Sequence, residues 1–255
     1  MIISEDLNAY LLKVTNTTDI ETLWAMHCEK MALYGFDRLL YGFTFYSTET
    51  SLGDPNDFLL LTNHDASYTE VFVGRQLYND APMTRWAREN EGVQSWRKIA
   101  ERLSTGDMTP EEQNVVAFNV DMGVVAGYTI SFKAVSVRSK GAIALTAKRG
   151  MSQDEVEVVW AEHGQDIIAI NNVTHLKILT LPFTGLGAKL TKRQREALQW
   201  VGDGKTTQDI AILMELTPAT VEKHLRLARE TLNVETTAQA VLKAAFQNQM
   251  FVLDL

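Results

Sequence analysis

Apolar residues recur at helical spacing over residues 18–34, where Ile20, Leu23, Trp24, Cys28 and Met31 fall on one face. Thr18 and Glu21 have capping-box spacing at its start, and Gly35 is placed to end it. Residues 38–47 (RLLYGFTFYS) are aromatic and apolar without helical period and predict a strand. Leu59–Thr62 predicts a shorter one. Helical patterns follow at 67–78 and 83–90, divided by Asp80-Ala81-Pro82, with Pro82 suited to a first turn. A further helix starts at Thr109-Pro110-Glu111-Glu112 and runs to about Met122. Strands are predicted at Gly127–Ala134 and Gly141–Ala147, with a polar turn between them. A long helix, entered through Ser152, Asp154 and Glu155, covers about Ser152–Ile178. The order helix, strands, helices, strands, helix predicts an α+β fold, a sheet with helices on both faces.

The segment around Pro182, Gly185 and Gly187 has no period and reads as a linker. Four short helical segments follow: Thr191–Val201, Thr207–Met214, Pro218–Leu232 and Thr237–Gln249. Thr207 is the candidate cap of the second. Thr217 and Pro218 are the candidate cap and first-turn residue of the third. Two helices joined by the tight turn Glu215-Leu216-Thr217 match a helix-turn-helix unit, whose second helix enters the major groove. That helix carries Lys223, Arg226 and Arg229 at three-residue intervals, with Thr220 and His224 beside them. Val221, Leu225, Ala228 and Leu232 form its opposing apolar face.

Composition narrows the class. At 45% hydrophobic and 22% charged, the chain is an ordinary globular one. No apolar run is long enough to span a bilayer, and no secretory signal is evident at the amino terminus. Cys28 is the single cysteine, which excludes an intrachain disulfide and suits a reducing, cytoplasmic setting. The net charge of −8 at first disfavours a nucleic-acid partner. The charge is uneven, however: residues 186–255 hold 9 Lys/Arg against 8 Asp/Glu, and residues 1–185 hold 15 against 24. The acidic part cannot face DNA; the carboxy-terminal part can. His27-Cys28 lacks a second pair at metal-ligand spacing and reads as a half-buried helix face. His163 and His175 are expected at the surface or an interface. No nucleophile–base–acid set is evident, so no enzyme activity and no cofactor are expected.

The string from Leu190 to Ala244 resembles the domain that closes LuxR-type regulators. The matching pieces include Leu190-Thr191, Arg193, Leu198, Gly204-Lys205, Ile210-Ala211, Thr220-Val221, His224-Leu225, Leu232 and Val234. One departure is Gln194, where the family usually has Glu. The resemblance implies double-stranded DNA as a partner, with Lys205, Thr220, Lys223, His224, Arg226 and Arg229 as DNA-facing residues. It also implies a homodimer on a dyad operator, with the long helix as part of the dimer surface, and RNA polymerase as a further partner.

The first 180 residues lack the βα alternation of a receiver domain. Pro82, Trp96 and the run Gly123-Val-Val-Ala-Gly127-Tyr-Thr-Ile resemble the acyl-homoserine-lactone-binding domain of quorum-sensing regulators. The family signature of Trp, Tyr four later, Asp-Pro, then Trp falls without gaps on Tyr68, Phe72, Ala81-Pro82 and Trp96. The spacing is kept and the residue types only partly. Phe72 lacks the Tyr hydroxyl, and Asp80 lies one residue before the Asp position. The resemblance implies a ligand site using Tyr68, Phe72, Asp80, Trp96, Gly127 and Thr146. Its domains would be a sensor at 1–178, a linker at 179–189 and a helix-turn-helix domain at 190–255. A small-molecule autoinducer, an N-acyl-homoserine lactone, is the ligand implied; a regulator that no longer binds a lactone is the alternative.

Overall fold

The structure is a computed structural model that describes residues 7–48, 51–134, 136–183 and 189–250. The chain divides into two compact units, the first reaching to Gly53 and resuming over Leu60–Leu179, the second comprising Asp54–Leu59 and the chain from Thr180. The centre of the predicted linker, residues 184–188, lies outside the described residues.

The first unit is built on a five-stranded sheet ordered β2-β1-β5-β4-β3. Its strands are β1 (Phe36–Thr44), β2 (Leu59–Thr62), β3 (Gly92–Ser95), β4 (Gly127–Ser131) and β5 (Lys140–Ala147). The pairs β1/β5, β5/β4 and β4/β3 are antiparallel. Side chains alternate between faces along a strand, so the register sorts them. Leu39, Tyr41 and Phe43 of β1 lie opposite Leu145, Ile143 and Gly141, and all six side a single face. That face packs on α2 (Ile20–Leu33) and α7 (Gln153–Ile178), and α1 (Leu7–Asn16) packs against α7. The Tyr41 hydroxyl meets His175 Nδ1 at 2.9 Å, and His175 lies parallel to Phe132 with ring centres 4.0 Å apart.

His175 is therefore buried against the sheet, not at the surface as its sequence context suggests. The inner face of α2 also differs from the expected one. Leu23, His27, Lys30 and Met31 are buried, while Trp24 and Cys28 are half-buried. Asp19, not Thr18, caps that helix, accepting from the Thr22 N–H. The α7 start is as expected: Ser152 and Glu155 form a reciprocal capping box.

The opposite face is flanked by α3 (Ala66–Phe72), α4 (Pro82–Glu89) and α6 (Pro110–Asp121), with α5 (Arg97–Thr105) following β3. Ser131 Oγ donates to the Ala87 and Asn90 carbonyls, which fixes the end of α4 over β4. The expected helix over 67–78 stops at Phe72, and a single 3-10 turn at Leu77–Asn79 follows. Helices on both faces of the sheet give the mixed α+β architecture expected.

The second unit holds α8 (Lys192–Gly202), α9 (Thr207–Leu213), α10 (Pro218–Thr231) and α11 (Thr237–Phe246). Leu198, Ile210, Val221, Leu225, Ala228, Leu232, Ala240 and Ala244 form its core. Thr206 caps α9, one residue before the expected Thr207.

Candidate ligand cleft and nucleic-acid interface

The second face of the sheet carries Arg38, Leu40 and Gly42 of β1, Ala142, Ala144 and Thr146 of β5, and Gly127, Thr129 and Ser131 of β4. Leu40, Gly42, Ala142 and Ala144 are half-exposed although they lie in the two inner strands β1 and β5. An inner strand stays partly accessible only where its face is incompletely covered, so Leu40 and the small residues Gly42, Ala142 and Ala144 form the floor of a candidate cleft. Small side chains leave room above the sheet for an apolar guest.

Aromatic and polar groups border this floor. Tyr68 on α3 is buried and stacks on His64, Phe72 and Phe118, with ring centres 4.4, 5.1 and 5.5 Å away. Its hydroxyl donates to Asn119 Oδ1 of α6 at 3.1 Å. Burial pushes the Tyr68 phenol above its usual range despite the nearby Arg38, so it stays protonated and able to donate. His64 Nε2 lies 3.5 Å from Thr146 Oγ1. Burial, with Arg38 adding to it, lowers the His64 pKa to about 4, which leaves the imidazole neutral at pH 7.

Trp96 is buried and its indole N–H donates to Thr129 Oγ1 at 2.9 Å. A Cβ at Gly127 would collide with the Leu145 carbonyl oxygen and come within 3.1 Å of the Trp96 ring. The glycine thus lets β4 close on β5 beneath the indole. Arg38 Nη1 and Nη2 donate to the Gly123 and Ala147 carbonyls and its Nε pairs with Asp37 Oδ1 at 3.2 Å, so its charge is held at the strand ends.

The structure groups Tyr68 and Thr146 around His64, with Phe72 stacked on Tyr68, and Trp96 with Gly127 and Thr129. It does not bring Asp80 into either group. Asp80 closes the 3-10 turn with its backbone and is exposed, whereas Ala81 is buried. His64, Asn119 and Thr129 were not singled out from the sequence. The signal for Thr129 is its alternation with Gly127 and Ser131. His64 and Asn119 are brought in only by tertiary contacts.

In the second unit, Thr217 accepts from the Thr220 N–H, and Pro218 occupies the first turn of α10. Gln194 replaces the family's usual acid without losing its capping task. It is buried and exchanges both capping-box hydrogen bonds with Thr191. Val221, Leu225 and Ala228 turn α10 inward. Its outward face exposes Ala219, Glu222, Lys223, Arg226 and Glu230, with Thr220 and His224 half-exposed at the edge and Lys205 exposed before α9. Arg226 Nη1 pairs with Glu230 at 2.5 Å. Arg229 is turned away from Lys223 and Arg226, and its Nη1 donates to Thr237 Oγ1 of α11 at 2.9 Å.

A mixed α+β unit with a partly exposed sheet face is joined in one chain to a capped helix-turn-helix, a motif of DNA-binding proteins. The comparisons make the class specific. Residues 19–178 match the autoinducer binding domain family, and residues 188–244 match the bacterial regulatory proteins of the luxR family. The chain belongs to this family of transcription regulators, which are not enzymes.

Similar proteins include the transcriptional activator protein AnoR of Acinetobacter nosocomialis. It is 22% identical over 243 residues, covering 94% of this chain and 95% of AnoR. The transcriptional activator protein LuxR of Aliivibrio fischeri is 21% identical over 191 residues, 74% of each chain. The HTH-type quorum sensing-dependent transcriptional regulator RpaR of Rhodopseudomonas palustris is 28% identical over 144 residues, 54% of each. Among solved structures, the fold is similar to that of CepR2 from Burkholderia cenocepacia, an N-acylhomoserine lactone dependent LuxR family factor. The TM-score is 0.52 at 12% identity, over 69% of this chain and 96% of that one. Among the described residues, no helix is long and apolar enough to cross a membrane.

Proposed function

We propose that this regulator binds an N-acyl-homoserine lactone in the cleft above β1 and β5 and that the ligand sets its binding to DNA as a homodimer. The observation that carries this reading is the half-exposed floor of Leu40, Gly42, Ala142 and Ala144, bordered by hydrogen-bonding aromatic residues. An acyl chain lies on such a floor. Tyr68, Trp96, Thr146 and His64 border it and are the proposed partners of the amide and ring carbonyls, with Tyr68 and Trp96 exchanging their bonds to Asn119 and Thr129 for bonds to the ligand. Phe72 supplies ring area only.

DNA is bound through Lys205, Thr220, Lys223, His224 and Arg226, on two dyad-related half-sites. Arg229 acts chiefly by holding α11 to α10.

A second reading, a regulator that binds no lactone, is favoured by one observation. The ligand amide N–H finds no carboxylate, because Ala81 is buried where Asp is expected and Asp80 is exposed. A buried unpaired amide costs about 1–3 kcal/mol. Mass spectrometry of extracts from protein purified out of lactone-producing cells separates the two. A stoichiometric lactone supports the first reading, and its absence together with no thermal shift across a panel of lactones supports the second.

A further inference from the structure

The outward face of α10 carries an acid in the position where attraction to phosphate favours a base. Glu222 is exposed in the first half of the helix, beside Lys223 and one turn before Arg226. Groove-entering helices present their N-terminal residues to base edges. A carboxylate there is repelled by the DNA backbone unless it accepts a hydrogen bond from a base.

Helix spacing brings Arg226 within reach of Glu222, four residues earlier, yet Arg226 pairs with Glu230 instead. Glu222 Oε1 accepts from Thr207 Oγ1, the first residue of α9, at 2.9 Å. The carboxylate is thus anchored across the two helices of the motif rather than neutralised along its own. Its second oxygen has no hydrogen bond among the described residues.

From this geometry we infer that Glu222 is a specificity-determining residue that reads cytosine, accepting from its N4 amino group in the major groove. Among the four bases, cytosine offers there a donor with no acceptor beside it, and a carboxylate is its complement. Adenine's amino group is flanked by the N7 acceptor, which repels a carboxylate. Arg226 and Glu230 offset each other in charge, so Glu222 and Lys223 remain as the contrasting pair at the reading end of the helix. The inference rests on α10 being the groove helix, and the test separates the two.

The full-length chain is presented with a randomised duplex library, with and without a mixture of N-acyl-homoserine lactones, and bound sequences are read. Glu222→Ala and Glu222→Gln are run beside the wild type. Both should melt with it, because the side chain is exposed. The wild type should enrich cytosine at one position in each half-site. Glu222→Ala should accept any base there and lose roughly tenfold affinity for the cytosine site, with other positions unchanged. Glu222→Gln should move the preference from cytosine towards adenine. An unchanged motif with tighter binding to all sequences would overturn the inference, leaving Glu222 as a repelling surface charge on a genuine groove helix. A wild type that enriches no motif would overturn the groove reading and the inference with it.

Discussion

The indole N–H of Trp96 donates to Thr129 Oγ1 at 2.9 Å, joining the start of α5 to β4 at the edge of the cleft. Both residues are buried. Replacing one partner leaves the other polar group without its bond, at about 1–3 kcal/mol. Trp96→Phe and Thr129→Val should each lower unfolding free energy by that order. Because each loss includes the same bond, the double variant should cost less than the two singly added. Urea titrations of the four proteins measure this; strict additivity would show the contact carries no coupling.

Acid should destabilise the first unit well above the carboxylate range. His27 and His175 are buried, and desolvation lowers both pKa values to about 4. His64 is lowered to about 4 by burial and Arg38. In the unfolded chain each takes a proton near pH 6.5, the ordinary range of an exposed imidazole. The unfolded state therefore binds more protons between about pH 6.5 and 4, and native stability falls as pH falls through that window. The slope is about 1 kcal/mol per pH unit for each histidine. Urea midpoints at pH 7, 6, 5 and 4.5 should decline steadily, and a flat profile would contradict the buried neutral assignment.

Arg226 and Arg229 should behave differently. Arg226 is exposed on the outward face of α10, so Arg226→Ala should weaken operator binding with little change in melting temperature. Its surface pair with Glu230 contributes little to stability. Arg229 is bonded to Thr237, so Arg229→Ala should lower melting of the second unit by a few degrees. Operator titrations paired with thermal melts distinguish them, and equal effects of the two substitutions on both readouts would refute this division.

Long, capped, periodic elements were legible in the sequence. Ser152 and Glu155 announce α7, and Thr217 with Pro218 announces α10. Elements without an apolar stripe were not. α5 has no buried residue, and β3 is four residues long on the sheet edge. Caps slipped by one where two adjacent polar residues compete, as at Thr18/Asp19 and Thr206/Thr207. The cleft was legible only in part. Tyr68 and Trp96 stand out by type and spacing, but the floor consists of Leu40 with Gly42, Ala142 and Ala144, whose meaning depends on strand register. His64 meets Thr146 across 82 residues of chain, a contact no local pattern encodes.

If a lactone in this cleft sets DNA binding, operator affinity must change with ligand. The full-length wild type and the Tyr68→Phe/Trp96→Phe variant are titrated on a duplex selected by the wild type, across a panel of N-acyl-homoserine lactones. At least one lactone should change the wild-type affinity, and the same lactone should leave the double variant unchanged. A wild type indifferent to every lactone, or a double variant that responds in full, would show that no lactone acts through this cleft.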